Sequence, residues 1–317
     1  MPIAAAQPEP LTLQCSEVWG GNDEVSRGVV MPGLDAWIFS KPVGDDPSGG
    51  DIHYLSSCAT GRITRMLVAD VSGHGAAVAS LAVRLRDLMR RFMNYVDQSR
   101  LMEGINREFA GLTDSGRFAT AMAATFWAPT REIELSNAGH PPPFLYTART
   151  RTWAPLQPTN AAKVKPTSGD DLPLGILDAS TYGRYKATLK PGDVVVIYTD
   201  GFIEARNPAG EFLGEQGLLD VLDGQDLGDP STLPQRVYER VRTFTDSALD
   251  DDATILVLRP NDLAVPRGSL WLGIKVAAEG MVDMVRSVLP GGRKYPFPEL
   301  RRDNILGAFF NRFNVQR

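Results

Sequence analysis

Residues Met66-Leu67-Val68-Ala69 run directly into Asp70, and the chain then breaks into Val71-Ser72-Gly73-His74-Gly75 before a helical pattern begins at Ala76. A segment that is apolar at every position predicts a strand covered on both faces, and the glycines predict a tight turn into the helix. The carboxylate therefore stands at the end of a buried strand, where it leaves water only at a cost. A bound cation or a catalytic task is what would offset that cost. Whatever this chain folds into, it has to build a sheet edge that tolerates acid.

The pattern recurs. Gly49-Gly50-Asp51 opens the strand Ile52–Leu55, Val194–Tyr198 ends in Thr199-Asp200-Gly201, and Asp250-Asp251-Asp252 opens Ala253–Leu258. A hairpin through Thr60-Gly61 lays Asp51 and Asp70 near the same end of a sheet. Taken singly, an Asp beside Gly reads as a turn residue. Four such places, each abutting an apolar strand, point to a shared role. Hard cations such as Mg²⁺ and Mn²⁺ take oxygen ligands. Two of them sharing an acid, about 3.5–4 Å apart, can hold a hydroxide for in-line attack on phosphorus. The only histidines are His53, His74 and His140, and no His/Cys set has zinc spacing.

Elsewhere the spacing predicts strands over 35–39, 118–127, 132–137 and 144–146. It also predicts a hairpin of 185–189 with 194–198, turned by Lys190-Pro191-Gly192-Asp193. Helices are expected over 76–96, 99–112, 214–222 and 232–244, the first with Arg84, Arg86, Arg90 and Arg91 on a solvated face, docking of a phosphoprotein there being the alternative. Residues 157–171 read as a polar loop. Residues 1–34 read as an N-terminal arm, 35–260 as one domain, and 261–317 as an extension with nine Lys/Arg against five Asp/Glu. In that extension 270–274 reads as a strand and 280–289 as a helix. A net charge of −5 argues against nucleic acid as a partner. No apolar run is long enough to span a membrane, and the first ten residues lack the features of a signal peptide. Cys15 and Cys58 read as free thiols in a cytoplasmic protein.

The order of motifs is specific. Gly49-Gly50-Asp51, Asp70-Val71-Ser72-Gly73-His74-Gly75, Asn137-Ala138-Gly139-His140-Pro141-Pro142, Leu172-Pro173-Leu174-Gly175, Pro191-Gly192-Asp193 with Tyr198–Ala205, and Asp251-Asp252-Ala253-Thr254 follow one another along the chain. In this the sequence resembles the SpoIIE/RsbU branch of the PPM-type serine/threonine protein phosphatases, over about residues 35–259. The resemblance implies an α+β fold of two packed antiparallel β-sheets flanked by helices (the PPM αββα sandwich), here with an extra C-terminal segment. It implies a centre of two Mn²⁺ or Mg²⁺ ions held by Asp51, Asp70, Asp200, Asp251 and the backbone carbonyl of Val71. Asp70 would be the bridge, with Asp51 and Asp70 at the catalytic centre, and Asp252 is the alternative to Asp251, one residue on. The activity implied is hydrolysis of a phosphoserine or phosphothreonine by a metal-activated water. The substrate implied is a phosphorylated STAS-type (anti-anti-sigma) protein in bacterial partner switching. The segment ahead of the domain is too short for the sensor that relatives often carry. Regulation by a partner, by the tail or by self-association as a homodimer stays open, as does a catalytically silent relative that binds a phosphoprotein. His74 is expected to face solvent or cap the helix, with a catalytic acid role as the alternative, and Asn137 and His140 to hold structure by hydrogen bonds. Glu204 is expected to pair with a nearby base.

Overall fold

Alternate residues of the Met66–Asp70 stretch go to different cores, which explains why the stretch is apolar at every position. Met66 and Val68 pack between two sheets, whereas Leu67, Ala69 and Val71 pack under helices. The computed structural model describes residues 9–265, except 14–17, 45, 58–60, 74, 94, 96, 114–115 and 158–168. His74, Cys15, Cys58, most of the 157–171 loop and the 270–289 elements lie outside the described residues.

The six-stranded sheet runs, in spatial order, β11 (Tyr185–Thr188), β8 (Glu132–Ala138), β7 (Ala119–Trp127), β6 (Ile63–Val71), β5 (Ser48–Ser57) and β2 (Val18–Asp23). All of its pairs are antiparallel. The seven-stranded sheet runs β1 (Leu11–Thr12), β3 (Val25–Met31), β4 (Leu34–Lys41), β13 (Ala253–Pro260), β12 (Val194–Tyr198), β9 (Phe144–Thr147) and β10 (Thr152–Pro155). It is antiparallel except for β1 with β3. Helices α1 (Ala76–Phe92) and α2 (Gln98–Ala110) bury Leu81, Leu85, Met89, Met102 and Ile105 against the first sheet. Helices α3 (Gly214–Asp223) and α4 (Leu233–Thr245) bury Leu218, Leu222, Val237 and Val241 against the second. The result is four layers, α/β/β/α, as expected. The period-two division holds for β12 and β13 too. Val195, Ile197, Leu256 and Leu258 face the inter-sheet core, and Val194, Val196, Ile255 and Val257 face α3 and α4.

Two expectations are corrected. Residues 11–12 and 18–31 are not an arm: they supply one strand to the six-stranded sheet and two to the seven-stranded one, and Val29 and Met31 are buried in the inter-sheet core. Their glycines and short runs hid a strand periodicity that only pairing with β4 and β5 satisfies. Nor are 185–189 and 194–198 a hairpin. β11 pairs with β8 at the rim of one sheet, and β12 lies between β13 and β9 in the other. The reason is burial: β12 is buried at all five positions, which requires a central place, whereas β11 alternates. The turn carries the chain from one sheet to the other. Asp193 fixes it by accepting the N–H groups of Lys190 (2.8 Å) and Ala148 (2.9 Å). Among the described residues no helix is long and apolar enough to cross a membrane.

Candidate metal centre

Asp51 and Asp70 are register partners on β5 and β6, and Asp70 faces Thr120 of β7 on its other side. Asp200 is the first residue of a 3-10 turn, Asp200–Phe202, that follows β12 directly. Its carbonyl accepts the N–H groups of Ile203 and Glu204, both at 2.8 Å, and the fully buried Phe202 pins the turn. Asp251 precedes β13, the neighbour of β12. Two acids thus come from each sheet. They meet at one edge of the sandwich, close enough to act on each other's ionisation.

Burial pushes the Asp70 carboxyl up to about 8, and Asp200, Asp251, Asp252 and Glu204 add to the rise in that order. Asp51 is raised well above the usual carboxylate range by burial, then by Asp70 and Asp252, against hydrogen bonds from Thr199 and Thr254. Asp200 is lifted to about 6 by burial, Asp251 and Glu204, against its own N–H and that of Gly201. The charged groups that act most strongly on Asp70 are acids. Glu204, expected to pair with a base, has no ion pair among the described residues and instead adds to the negative field.

Close backbone approach explains the glycines. A Cβ on Gly50 would stand 2.8 Å from the carbonyl oxygen of Val71 and 3.3 Å from Asp70 Oδ1. The Val71 carbonyl and the Asp70 carboxylate therefore both lie against Gly50. A Cβ on Gly201 would collide with the Asp252 carbonyl. Gly73 takes φ +99°, a conformation that side chains disfavour, as the chain turns into α1.

The two adjacent acids divide their work. Asp252 is buried, and its carboxylate accepts Val43 N–H at 2.7 Å and Gly50 N–H at 2.6 Å. Asp251 is exposed and acts on both Asp70 and Asp200. His140 and Asn137 hold structure: Asn137 exchanges two 2.7 Å hydrogen bonds with the His140 backbone, and His140 Nδ1 lies 2.9 Å from Thr120 Oγ1. All five predicted site residues therefore lie at one edge. Among the described residues, however, no three acidic, histidine or cysteine side chains stand close enough to hold a metal ion by themselves. The donor set still fits a hard divalent cation. It is all oxygen, it gathers several acids at one edge, and Mg²⁺ characteristically keeps several waters while taking only one or two carboxylates.

Sequence reasoning missed Thr199, Thr254 and the role of Asp252. Threonines in a strand read as ordinary β-formers, and nothing local marked their hydroxyls as facing an acid from the other sheet.

Residues 60–261, more than half of the chain, match the family described as Stage II sporulation protein E (SpoIIE). The chain belongs to the SpoIIE family. It is 25% identical over 227 residues to the phosphoserine phosphatase RsbU of Bacillus subtilis, covering 71% of this chain and 63% of that one. It is 26% identical over 148 residues to the protein IcfG of Synechocystis, covering 47% of this chain and 22% of IcfG. The chain thus spans less than two thirds of the length of these curated relatives. Among solved structures it is similar to the RsbU and RsbW domains of a Mycobacterium tuberculosis protein. That match has a TM-score of 0.60 and 22% identity, over 84% of this chain and 75% of that one. The PP2C phosphatase domain of B. subtilis SpoIIE gives a TM-score of 0.58 and 16% identity, over 78% of this chain and 64% of that one. The αββα sandwich of this SpoIIE-family chain is the fold of those phosphatase domains.

Proposed function

We propose that the protein is a metal-dependent serine/threonine protein phosphatase. It would take two Mn²⁺ or Mg²⁺ ions at the acid edge and hydrolyse a phosphorylated STAS-type protein of a bacterial, cytoplasmic partner-switching pathway. The observation that carries this reading is the convergence of Asp51, Asp70, Asp200 and Asp251, two from each sheet, at one edge of the sandwich. Membership of the SpoIIE family, the phosphoserine phosphatase activity of RsbU and the magnesium complex of RsbX (TM-score 0.53) support it.

In this reading Asp51, Asp70, Asp200, Asp251 and the Val71 carbonyl would hold the ions. Divalent ions supply neutralisation of phosphate charge and a water acidified for attack. The chain's own part is positioning. The β5–β6 register sets Asp51 opposite Asp70, the 3-10 turn points Asp200 at the same edge, and Gly50 leaves room for the Val71 carbonyl. Asp252 ties the loop before β5 to the start of β13.

The second reading is a catalytically silent phosphoprotein-binding relative. The observation that favours it is the spacing of the acids, no three of which are within liganding reach of one another. Calorimetric titration with Mn²⁺ and assay of p-nitrophenyl phosphate and phosphoprotein hydrolysis decide between the two. Mn²⁺ binding with metal-dependent turnover supports the phosphatase, and neither overturns it.

A further inference from the structure

The seam between the sheets carries a run of buried hydroxyl groups that ends on Asp51. Ser40 Oγ and Thr254 Oγ1 are 2.8 Å apart. The Thr254 N–H donates to Thr199 Oγ1 at 2.9 Å. Thr199 Oγ1 in turn stands 2.8 Å from Asp51 Oδ2. Thr199 and Thr254 are 0% exposed, Ser40 2% and Asp51 3%, so no water competes for these bonds.

The hydroxyl of Thr199 has one proton to give. It already accepts the Thr254 amide, and two acceptors lie in front of it: Asp51 Oδ2 at 2.8 Å and the Thr254 carbonyl at 3.4 Å. The shorter, charge-assisted bond takes the proton. The bond crosses from the residue that follows β12 of one sheet to β5 of the other. The same dipeptide then serves both halves of the edge: Thr199 grips Asp51, and the next residue is Asp200 itself.

We propose that Thr199 is a positioning residue for cation binding, its hydroxyl fixing the plane of the Asp51 carboxylate across the seam. This rests on the metal-dependent reading above. A carboxylate with free rotation about its χ angles loses entropy on taking an ion, and one held by a buried donor has already lost it. A purely structural threonine would affect stability and leave the affinity for the ion alone.

Calorimetric titration with Mn²⁺ of the wild-type protein, Thr199→Val and Thr199→Ser, with an unfolding curve for each, tests it. Valine keeps the shape and removes the donor. Thr199→Val is expected to weaken Mn²⁺ binding by about 10–100-fold, the usual effect of removing a group that orients a ligand. Thr199→Ser is expected to return the affinity to that of the wild type. A folded Thr199→Val protein with wild-type affinity overturns the proposal. Valine also leaves the Thr254 amide without its acceptor; if that prevents folding, Thr199→Ala is scored by the same criterion. Absence of Mn²⁺ binding in the wild type overturns the underlying metal reading, an outcome visible without any variant.

Discussion

Asp51 and Asp70 stand directly opposite each other on neighbouring antiparallel strands, one carboxylate facing another at a buried sheet edge. Like charges so placed destabilise a sheet. Among the described residues neither carboxylate has an ion pair, which ties the stability of the fold to what neutralises them.

Replacing Asp70 therefore has two opposite consequences. Asp70→Asn is expected to lower Mn²⁺-dependent hydrolysis of p-nitrophenyl phosphate by more than about 100-fold, beyond the usual effect of an orienting group. In the presence of a chelator the same variant is expected to melt above the wild type, by roughly 2–4 °C for each kcal/mol of repulsion relieved. Calorimetric melting with and without metal reads both, and an undiminished rate rejects Asp70 as part of the centre.

Asp251 and Asp252 are expected to separate by assay. Asp252→Asn turns an amide nitrogen toward one of two backbone donors and is expected to cost about 1–3 kcal/mol in chemical denaturation. Asp251→Asn, at an exposed position, is expected to change stability by no more than about 0.5 kcal/mol. Its effect falls on Mn²⁺ affinity, measured by titration. The reverse assignment would interchange the two results.

Gly50→Ala puts a methyl group 2.8 Å from the Val71 carbonyl oxygen and 2.9 Å from Val78 Cγ1. Overpacking of this kind costs about 1–3 kcal/mol. The displaced carbonyl is expected to weaken Mn²⁺ binding as well. A fully stable variant with unchanged affinity would show that Val71 does not need this approach.

His140 sets an acid limit. Burial lowers its imidazole from the usual 6.5 to about 3. The unfolded chain then takes up the proton first, so the contribution of His140 is fully present above about pH 6.5 and falls as the pH drops toward 3, by at most about 1.4 kcal/mol per pH unit. Denaturation curves for the wild type and His140→Asn between pH 7 and 4 are expected to differ in slope by up to one proton. Parallel slopes would mean that the ring is not held neutral.

Much of this was legible in the chain. The four-layer sandwich was implied by the resemblance that the order of motifs carries, and Asp51, Asp70, Asp200 and the Asp250-Asp251-Asp252 run were marked by acids standing at the ends of apolar strands. What escaped was set by partners distant in sequence. Residues 18–31 carry too little periodicity to declare themselves, and become strands by pairing with β4 and β5. The 185–198 segment looked like a hairpin because its turn residues are right, and only the full burial of β12 sends it to the other sheet. Thr199 meets Asp51 across 148 positions of chain, a separation that no local pattern encodes.

The acids come in equal number from the two sheets, and at this edge Thr199–Asp51 and Asp252–Gly50 bonds bridge the gap between them. An ion seated there would act as a rivet through both plates. Sliding one plate over the other would then pull the socket apart, so mechanical rigidity of the whole sandwich and grip on the cation should rise and fall together.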